Sequence, residues 1–313
     1  MYRVGLLVGR ERSFPDALIA EVEQRNVGVT VEYAKIGAPR MGERPPYDVI
    51  VDRISHEVPT YASYLKNAAL QGVEVINNPF WRMADDKFFA NSLADAVGVR
   101  VPITYALPNK EYVPGVVSES LRNLTYPLDW QGMLEKVGLP AILKPASGGG
   151  WKQVYVIHSL DELLWRYDQT GRGQFILQEF IQWEQYVRCI AIGKTDVLVT
   201  NWDPRRDHFD RYRSDDPPVA PELEARCRED AIKLNTALGY DMNTVEFGIR
   251  GGVPYAIDFT NSAPDFDISS LTERYFPWVV EKMADLVIAR AMTGAAARPQ
   301  MRWDRVLSEA ASP

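Results

Sequence analysis

The hydrophobic pattern of the first eighty residues predicts an open parallel sheet. Continuous apolar runs are typical of strands that are buried on both faces, and two stretches of helical periodicity lie between them. Strands that alternate with helices indicate a βαβ arrangement. We therefore assign residues 1–80 to an N-terminal Rossmann-like domain, with strands at 2–9, 29–33, 47–51 and 73–76 and helices at 14–26 and 58–71.

The pattern changes after this domain, where strands follow one another in pairs. Ser159 and Glu162 form a capping box at the start of a helix, and Gly251-Gly252 joins two strands as a hairpin. We predict an α/β fold whose later part is α+β, with a central module at 81–181, a C-terminal module at 182–296 and a tail at 297–313. The predicted strands are 140–145, 152–157, 175–181, 186–192, 195–201, 244–250 and 253–260, and the predicted helices are 83–97, 159–168, 219–238 and 275–293.

The composition narrows the class of protein. The 313 residues are 46% hydrophobic and carry a net charge of −7, and no run of Lys and Arg occurs. This charge argues against nonspecific binding to nucleic acid or to an anionic membrane. The two cysteines, Cys189 and Cys227, lack metal-ligand spacing and fit a reducing compartment. We expect a cytoplasmic protein without a membrane span.

The most informative segment is 141–152, where an apolar strand ends near Lys144 and a glycine loop follows. Glycines allow backbone N–H groups to approach a polyanion closely. The loop has neither the Walker spacing nor the dinucleotide-binding pattern. It is either a flap over a nucleotide or an ordinary glycine-rich hairpin, and it consists of Gly148, Gly149, Gly150 and Trp151, closed by Lys152.

Other segments of the chain also carry charged and polar residues, and they occur in a characteristic order. They are Ala-Asp-Asp-Lys at 84–87, Gly98 to Thr104, Leu177 to Ile181, Arg188, Glu246 and Ile257 to Asn261. Together with the glycine loop, this order resembles the ATP-grasp superfamily, specifically the carboxylate–amine ligases such as D-alanine–D-alanine ligases and ribosomal-protein glutamate ligases. The resemblance covers roughly residues 73–290 and implies the cofactors ATP and Mg²⁺.

The resemblance also assigns the nucleotide-binding residues. Two lysines would contact the phosphates, the glycine loop would close over them, and the segment between the two modules would bind adenine. Lys87 alone could equally be a solvated helix residue, whereas Lys144 lies in an apolar strand, where a lysine snorkels or meets an anion. The assigned residues are Lys87, Lys144, Gly148, Gly149, Gly150 and Trp151 for the phosphates, Gln178, Glu179, Phe180 and Ile181 for adenine, and Glu184 for ribose.

Glu246 and Asp258 are the predicted metal ligands, on the two arms of the predicted hairpin. A three-residue turn centred on Gly252 would place them opposite each other, whereas a two-residue turn would shift the pairing by one. Two carboxylates opposite each other are destabilising unless a cation lies between them. Mg²⁺ prefers such oxygen ligands.

Asn261 is the third metal ligand that the resemblance implies. The family pattern is Glu, any residue, Asn, whereas here two residues separate Asp258 from Asn261. A β-bulge would restore the geometry, and otherwise Thr260 or Asp265 would substitute.

Several basic residues are candidates for binding substrate. Arg188 would stabilise charge on the transferring phosphoryl group, with a structural ion pair as the equal alternative. Arg205 and Arg211 lie in a basic, aromatic segment suited to a carboxylate, although a solvated loop fits each arginine alone. Arg53 and His56 follow a parallel strand, where ligands of open sheets bind, and are assigned to the first substrate.

The predicted function is an ATP-dependent ligation through an acyl phosphate, which yields an amide, ADP and phosphate. The expected partners are small-molecule carboxylate and amine substrates, amino acids or peptides among them, and a second copy of the chain. Two alternatives remain: a phosphotransferase that acts on a hydroxyl group, and a nucleotide-binding protein without catalysis. The altered spacing between Asp258 and Asn261 is the only sequence feature that favours the last.

Overall fold

Three four-stranded sheets build the protein. The computed structural model describes residues 1–80, 86–148, 152–212 and 218–293. The first sheet is parallel, in the order β2-β1-β3-β4, which confirms the predicted open sheet. Its elements are β1 (Tyr2–Leu7), α1 (Ser13–Arg25), β2 (Val29–Tyr33), β3 (Val49–Asp52), α2 (Pro59–Leu70) and β4 (Glu74–Ile76).

The second sheet is antiparallel, in the order β5-β8-β6-β7. The sequence pattern predicted three of its four strands but neither β5 nor α4, because the Pro-rich stretch at 105–137 masks their periodicity. The elements of this region are α3 (Lys87–Ala96), β5 (Thr104–Ala106), α4 (Trp130–Val137), β6 (Ala141–Pro145), β7 (Tyr155–Ile157), α5 (Leu160–Tyr167) and β8 (Phe175–Glu179). Ser159 caps α5 as predicted, since its Oγ accepts from the amide of Glu162. The Glu162 carboxylate accepts from the amide of His158 and not from that of Ser159, so the predicted capping box is incomplete.

The third sheet is also antiparallel, in the order β10-β9-β11-β12. The long helix that ends this region has a kink at Thr272. The sequence predicted that this helix starts at residue 275, just beyond the kink. The elements are β9 (Gln185–Ile192), β10 (Asp196–Asn201), α6 (Pro221–Leu238), β11 (Met242–Arg250), β12 (Val253–Asn261) and α7 (Ile268–Thr293). Of the described helices, none has the length and apolar composition needed to cross a membrane.

One hydrophobic core joins the first sheet to the third. Val4 and Leu18 pack in the same cluster as Ile190, Met242 and Val287. At the end of β4, the Asn77 carboxamide oxygen accepts from the amides of Asp241 and Met242 at 2.7 and 2.8 Å. The N-terminal sheet is therefore held against the strands that carry the candidate metal ligands.

Candidate active site

A row of polar residues crosses the third sheet from strand to strand. Arg188 of β9 lies opposite Thr200 of β10 on one side and Glu246 of β11 on the other, and Glu246 lies opposite Asp258 of β12. Residues opposite each other on an antiparallel pair project to the same face. The two predicted carboxylates therefore share one face with Arg188.

The turn that produces this pairing differs from the simpler expectation. Arg250 pairs with Val253, so Gly251-Gly252 forms a two-residue turn, which by itself would offset Glu246 from Asp258 by one position. A register shift between Glu246 and Phe247 adds one residue to β12 and brings the carboxylates opposite each other.

A second bulge resolves the unusual spacing before Asn261. Another register shift, between Thr244 and Glu246, adds a further residue to β12, so that Asn261 pairs with Thr244. Asn261 Nδ2 donates to Thr244 Oγ1 at 3.0 Å. A bulge thus brings Asn261 to the face that carries Glu246, as the bulge alternative predicted.

Glu246 is held by two neighbours on β9. The Tyr186 hydroxyl donates to Glu246 Oε2 at 2.9 Å, and Arg188 Nε lies 3.6 Å from Oε1. Burial raises the pKa of the Glu246 carboxyl to about 7, with Asp258 contributing in the same direction and Arg188 opposing it. A buried carboxylate whose pKa is raised in part by a neighbouring carboxylate forms an arrangement that a cation would stabilise.

Arg188 lies behind the carboxylates. Its Nη2 donates to Thr244 Oγ1 at 3.1 Å, and its guanidinium carbon lies 4.7 Å from the ring centre of Trp202 and 5.8 Å from that of Tyr212. It lines neither of the two cavities described below. This geometry favours the structural ion pair over direct contact with a phosphoryl group.

Two lysines approach the carboxylates from the central module. Burial lowers the pKa of Lys144 to about 8, Asp258 opposes this shift, and the charge of Lys87 adds to it. Lys144 Nζ lies 3.4 Å from the carbonyl oxygen of Ile257, and Lys87 Nζ donates to the carbonyl of Gly148. The structure therefore brings Lys87 and Lys144 together with the carboxylate pair.

A cavity of about 390 Å³ lies between the second and third sheets. Its volume falls in the range of small-molecule sites, and most of its lining is apolar, as an adenine pocket requires. It contains every predicted adenine-binding residue, and its lining includes Lys87, Ile142, Lys144, Gly148, Gln178, Glu179, Phe180, Ile181, Trp183, Tyr186, Pro204, Glu246 and Asp258. We name it the nucleotide cavity.

A second, more polar cavity of about 540 Å³ adjoins it, which we name the chamber. Five residues line both cavities: Ser147, Gly148, Lys152, Glu246 and Asp258. The chamber is also lined by His56 and Glu57 from the first sheet and by Thr244, Thr260 and Asn261 from the third. His56 therefore lines the chamber, and its contact with the first substrate stays a prediction.

Arg53 lines neither cavity, and its guanidinium contacts other parts of the fold. Its guanidinium pairs with Glu11, donates to the carbonyl of Pro264 and stacks on the ring of Phe266 at 4.6 Å. Phe14 covers it at 5.0 Å. Because every side of the guanidinium is occupied, the geometry corrects the predicted substrate role to a structural one that joins the first sheet to the third.

Other predicted binding residues also have local partners. Glu184 accepts from the amide of Gly251 at 3.1 Å and is absent from the lining of the nucleotide cavity, so nothing in this arrangement supports the predicted ribose contact. Arg205 forms a bidentate pair with Asp203 and stacks on Trp183 at 4.2 Å.

Arg211 stacks on Trp202 at 5.4 Å and donates to the carbonyl of Arg206. The prediction for Arg205 and Arg211 as carboxylate binders gains no support from this placement. Gly149, Gly150 and Trp151 lie outside the described residues.

Comparison with known proteins decides the fold. No family model matches the chain. A 193-residue alignment to human mitochondrial pyruvate carboxylase has 26% identity. The alignment covers 56% of this chain but only 15% of the length of that relative. The structure is similar to a RimK domain ATP-grasp protein from Sphaerobacter thermophilus, with a TM-score of 0.66, 19% identity, and 91% and 99% of the two chains covered. The chain has the ATP-grasp fold.

The D-alanine–D-alanine ligase from Bacillus anthracis complexed with ATP is a further structural neighbour of this chain. Its TM-score is 0.63 at 14% identity, and the match covers 94% of this chain and 98% of that one. The predicted resemblance and fold class are therefore confirmed at the level of the ATP-grasp fold.

The donor set of the candidate site suits a hard cation. No group of three or more His, Cys, Asp or Glu residues is placed to hold a metal ion within the described ranges. The candidate set instead combines two carboxylates, Glu246 and Asp258, with the amide of Asn261, and hard oxygens of this kind are the ligands of Mg²⁺. Because substrate phosphates commonly complete a Mg²⁺ shell, two carboxylates are sufficient.

Three residues of the site were not predicted from sequence. Lys152 lines both cavities, Tyr186 holds Glu246, and Thr244 accepts from both Arg188 and Asn261. Lys152 closes the glycine loop, and its charge next to those glycines was a usable signal. Tyr186 and Thr244 are ordinary strand residues by type, so only the register reveals their role.

Proposed function

We propose that this protein is an ATP-dependent ligase that joins a carboxylate to an amine. The observation that supports this best is that an apolar cavity and a polar chamber meet at the Glu246–Asp258 pair. Such an arrangement holds a base in one compartment and a reacting substrate in the other, with the phosphates at the boundary. The Bacillus anthracis neighbour, whose name describes a ligase complexed with ATP, agrees with this function.

In the proposed reaction, a carboxylate oxygen of the first substrate attacks the γ-phosphorus of ATP, and ADP leaves. The amine nitrogen of the second substrate then attacks the acyl carbon, loses its proton and expels phosphate, which leaves an amide. Lys87 and Lys144 neutralise the transferring phosphoryl group from the side of the central module. Lys144 is well suited to this because a buried ammonium interacts strongly with an anion.

We propose that Glu246, Asp258 and Asn261 hold Mg²⁺. When bound, Mg²⁺ would neutralise charge on the β- and γ-phosphates. Tyr186 and Arg188 orient Glu246, because they contact its two carboxylate oxygens from the neighbouring strand. Arg188 is therefore a positioning residue in this proposal.

Ser147, Gly148 and Lys152, at the two ends of the glycine loop, line both cavities. The contact between Lys87 and the Gly148 carbonyl ties this loop to the start of α3. We propose that a phosphate competes with the Gly148 carbonyl for Lys87 and that the loop then closes over the nucleotide. Closure would exclude water, which would otherwise hydrolyse an acyl phosphate.

The proposed substrates are small molecules that carry a carboxylate and an amine, namely amino acids or short peptides. The chamber supports this class because most of its lining side chains carry hydroxyl, amide, carboxylate, imidazole or ammonium groups, with Ala263 as an apolar exception. His56 is the residue of the first sheet that we propose to contact the first substrate.

The decisive experiment measures ADP release with Mg²⁺ against amino acids and di-acids, singly and in pairs. The active pair is then repeated with an ¹⁸O-labelled carboxylate. Attack of the carboxylate on ATP transfers one labelled oxygen to the released phosphate, so labelled phosphate is the expected result. A phosphorylated product without free phosphate would indicate the phosphotransferase, and ATP binding without turnover across the panel would indicate a non-catalytic protein.

A further inference from the structure

A third cavity opens on the first sheet, separate from the nucleotide cavity and the chamber. It has a volume of about 480 Å³ and is walled by the segments that follow β1 and β2. Three cations line it, Arg10, Arg12 and Lys35, together with the rings of Tyr33 and Tyr61. We name the space around these three residues the cationic cleft.

The three cations of the cationic cleft are not paired with carboxylates of its lining. Across the described ranges, none of these three cations forms an ion pair. Glu11 is the one carboxylate in the lining, and it is paired with the buried guanidinium of Arg53. Asp16, in the first turn of α1, lies close by and accepts from the Tyr33 hydroxyl at 2.6 Å; because a neutral hydroxyl does not offset a carboxylate charge, three cations face this one carboxylate. The cleft therefore has a net positive charge that an anion would neutralise.

Helix α1 adds to this potential. It begins at Ser13, directly after Arg12, and the residue at its N-cap position makes no side-chain hydrogen bond to its first turn. The positive end of the helix dipole thus lies beside the cations. Anionic groups are favoured at such a position.

The cationic cleft lies on the same edge of the first sheet as the chamber. The segments after β1 and β2 form the cleft, and His56 and Glu57, after β3, line the chamber. In this parallel sheet β1 lies between β2 and β3, so all three carboxyl ends meet at one edge. With a strand spacing of about 4.8 Å, the cleft is offset from the end of β3 by roughly 7 Å along that edge.

We propose that the cationic cleft binds an anionic group, a carboxylate or a phosphate, on the part of the substrate that extends out of the chamber. This assignment rests on the proposed ligase function and narrows its substrate class. In this proposal the reacting carboxylate lies near the Glu246–Asp258 pair, and a second anion on the same substrate is held by Arg10, Arg12 and Lys35. Acidic peptides and phosphorylated peptides have this chemistry, whereas single neutral amino acids lack it.

The test compares two variants with the same loss of charge. R10Q/R12Q/K35Q removes the cations of the cleft, and R122Q/K136Q/R226Q removes three exposed cations that line none of the three cavities. Calorimetric titrations without ATP use glutamyl-glutamate, the corresponding phosphoseryl dipeptide and neutral glutaminyl-glutamine. All titrations are carried out in a K144M background, so that the phosphate-binding lysine of the nucleotide cavity does not contribute.

We expect at least a tenfold weaker Kd for the preferred acidic dipeptide in the cleft variant and less than a twofold change in the control. The stronger binder of the two acidic dipeptides identifies carboxylate or phosphate as the group bound. Equal binding of glutaminyl-glutamine and the acidic dipeptides would overturn the proposal, as would a cleft variant that binds like the control.

Turnover separates this proposal from the ligase function. With the Lys144 side chain restored, KM for an acidic substrate should rise at least tenfold in R10Q/R12Q/K35Q, while KM for ATP stays unchanged. If no substrate is turned over but dipeptide binding still depends on the cleft, the ligase function fails and the cleft assignment stands. If turnover occurs and the cleft variant matches the control, the cleft assignment alone fails.

Discussion

Lys144 and Arg53 are both buried cations, and the protein surrounds them in opposite ways. Arg53 is 4% exposed and meets Glu11, the carbonyl of Pro264 and two aromatic rings. Lys144 is 8% exposed, and among the described residues its Nζ makes one hydrogen-bond contact, with the carbonyl of Ile257 at 3.4 Å, and no ion pair. Burial without full pairing is costly for a charge.

This difference shows that the number of partners around a buried charge indicates its role. A cation whose donors are all engaged holds the fold together, because removing it leaves its partners buried and unpaired. A cation that the fold leaves underpaired in a cavity costs stability and is retained for a ligand. The predictions below test this contrast, beginning with the largest effect.

Replacing Lys144 with Met should abolish ATP-dependent turnover, with a loss of at least about a thousandfold, or roughly 4 kcal/mol of transition-state stabilisation. The reason is that no other described residue occupies its position between the central sheet and Asp258. ADP release measures this. K136M, an exposed lysine on α4, is the control and should keep wild-type turnover. Turnover in K144M within tenfold of wild type would exclude Lys144 from the phosphate site.

Replacing Arg53 with Met should lower the free energy of unfolding by about 3 kcal/mol, because Glu11 and the Pro264 carbonyl lose their buried partner. Urea denaturation measures this. R3M is the matched control, since Arg3 pairs with Glu32 at the exposed surface of the same sheet, and such pairs contribute less than about 1 kcal/mol. Equal losses in both variants would contradict the structural role of Arg53.

Lys144 should also make stability depend on pH. Its pKa in the folded protein is lowered to about 8 from 10.5, so the unfolded chain binds more protons between these values and stability rises with pH in that window. Without nucleotide, K144M should be more stable than wild type by up to roughly 2–3 kcal/mol at pH 7.5. The difference should shrink towards pH 10.5. Denaturation curves over this range test it, and a constant difference would contradict the lowered pKa.

Tyr186→Phe should have the smallest effect. It removes the 2.9 Å hydrogen bond to Glu246, worth about 1 kcal/mol, and should reduce kcat/KM for ATP about five- to tenfold. Y167F removes a similar bond, to the carbonyl of Pro108, outside both cavities. That control should lose comparable stability but keep kcat/KM. An unchanged kcat/KM in Y186F would show that Tyr186 does not position Glu246.

Much of this architecture was predictable because its signals are local. Apolar runs and turn residues located the strands of all three sheets apart from β5. The lysines and carboxylates of the site stood out because charges within apolar strands require an explanation. The same logic identified Lys144 and the Glu246–Asp258 pair.

What sequence could not supply depends on contacts between distant positions. Arg53 followed a strand, as a ligand-binding residue would, and its partner at Pro264 is 211 positions away. Tyr186 has the composition of a core residue, and only its register beside Glu246 reveals its contact. The two-residue turn at Gly251-Gly252 was foreseen as one alternative, but no residue type in β12 marked where its bulges would fall.

The two bulges in β12 affect how the length of this strand can change without loss of the metal-ligand positions. Deleting Thr260 would normally turn every later side chain of a strand to the other face, yet here it would remove a bulge and leave the asparagine opposite Thr244. A chain one residue shorter would thus present the same three oxygen donors with the compact spacing of Asp, any residue, Asn. A length difference of one residue at this strand is accordingly compatible with an unchanged set of three oxygen donors, although it removes Thr260 from the chamber lining.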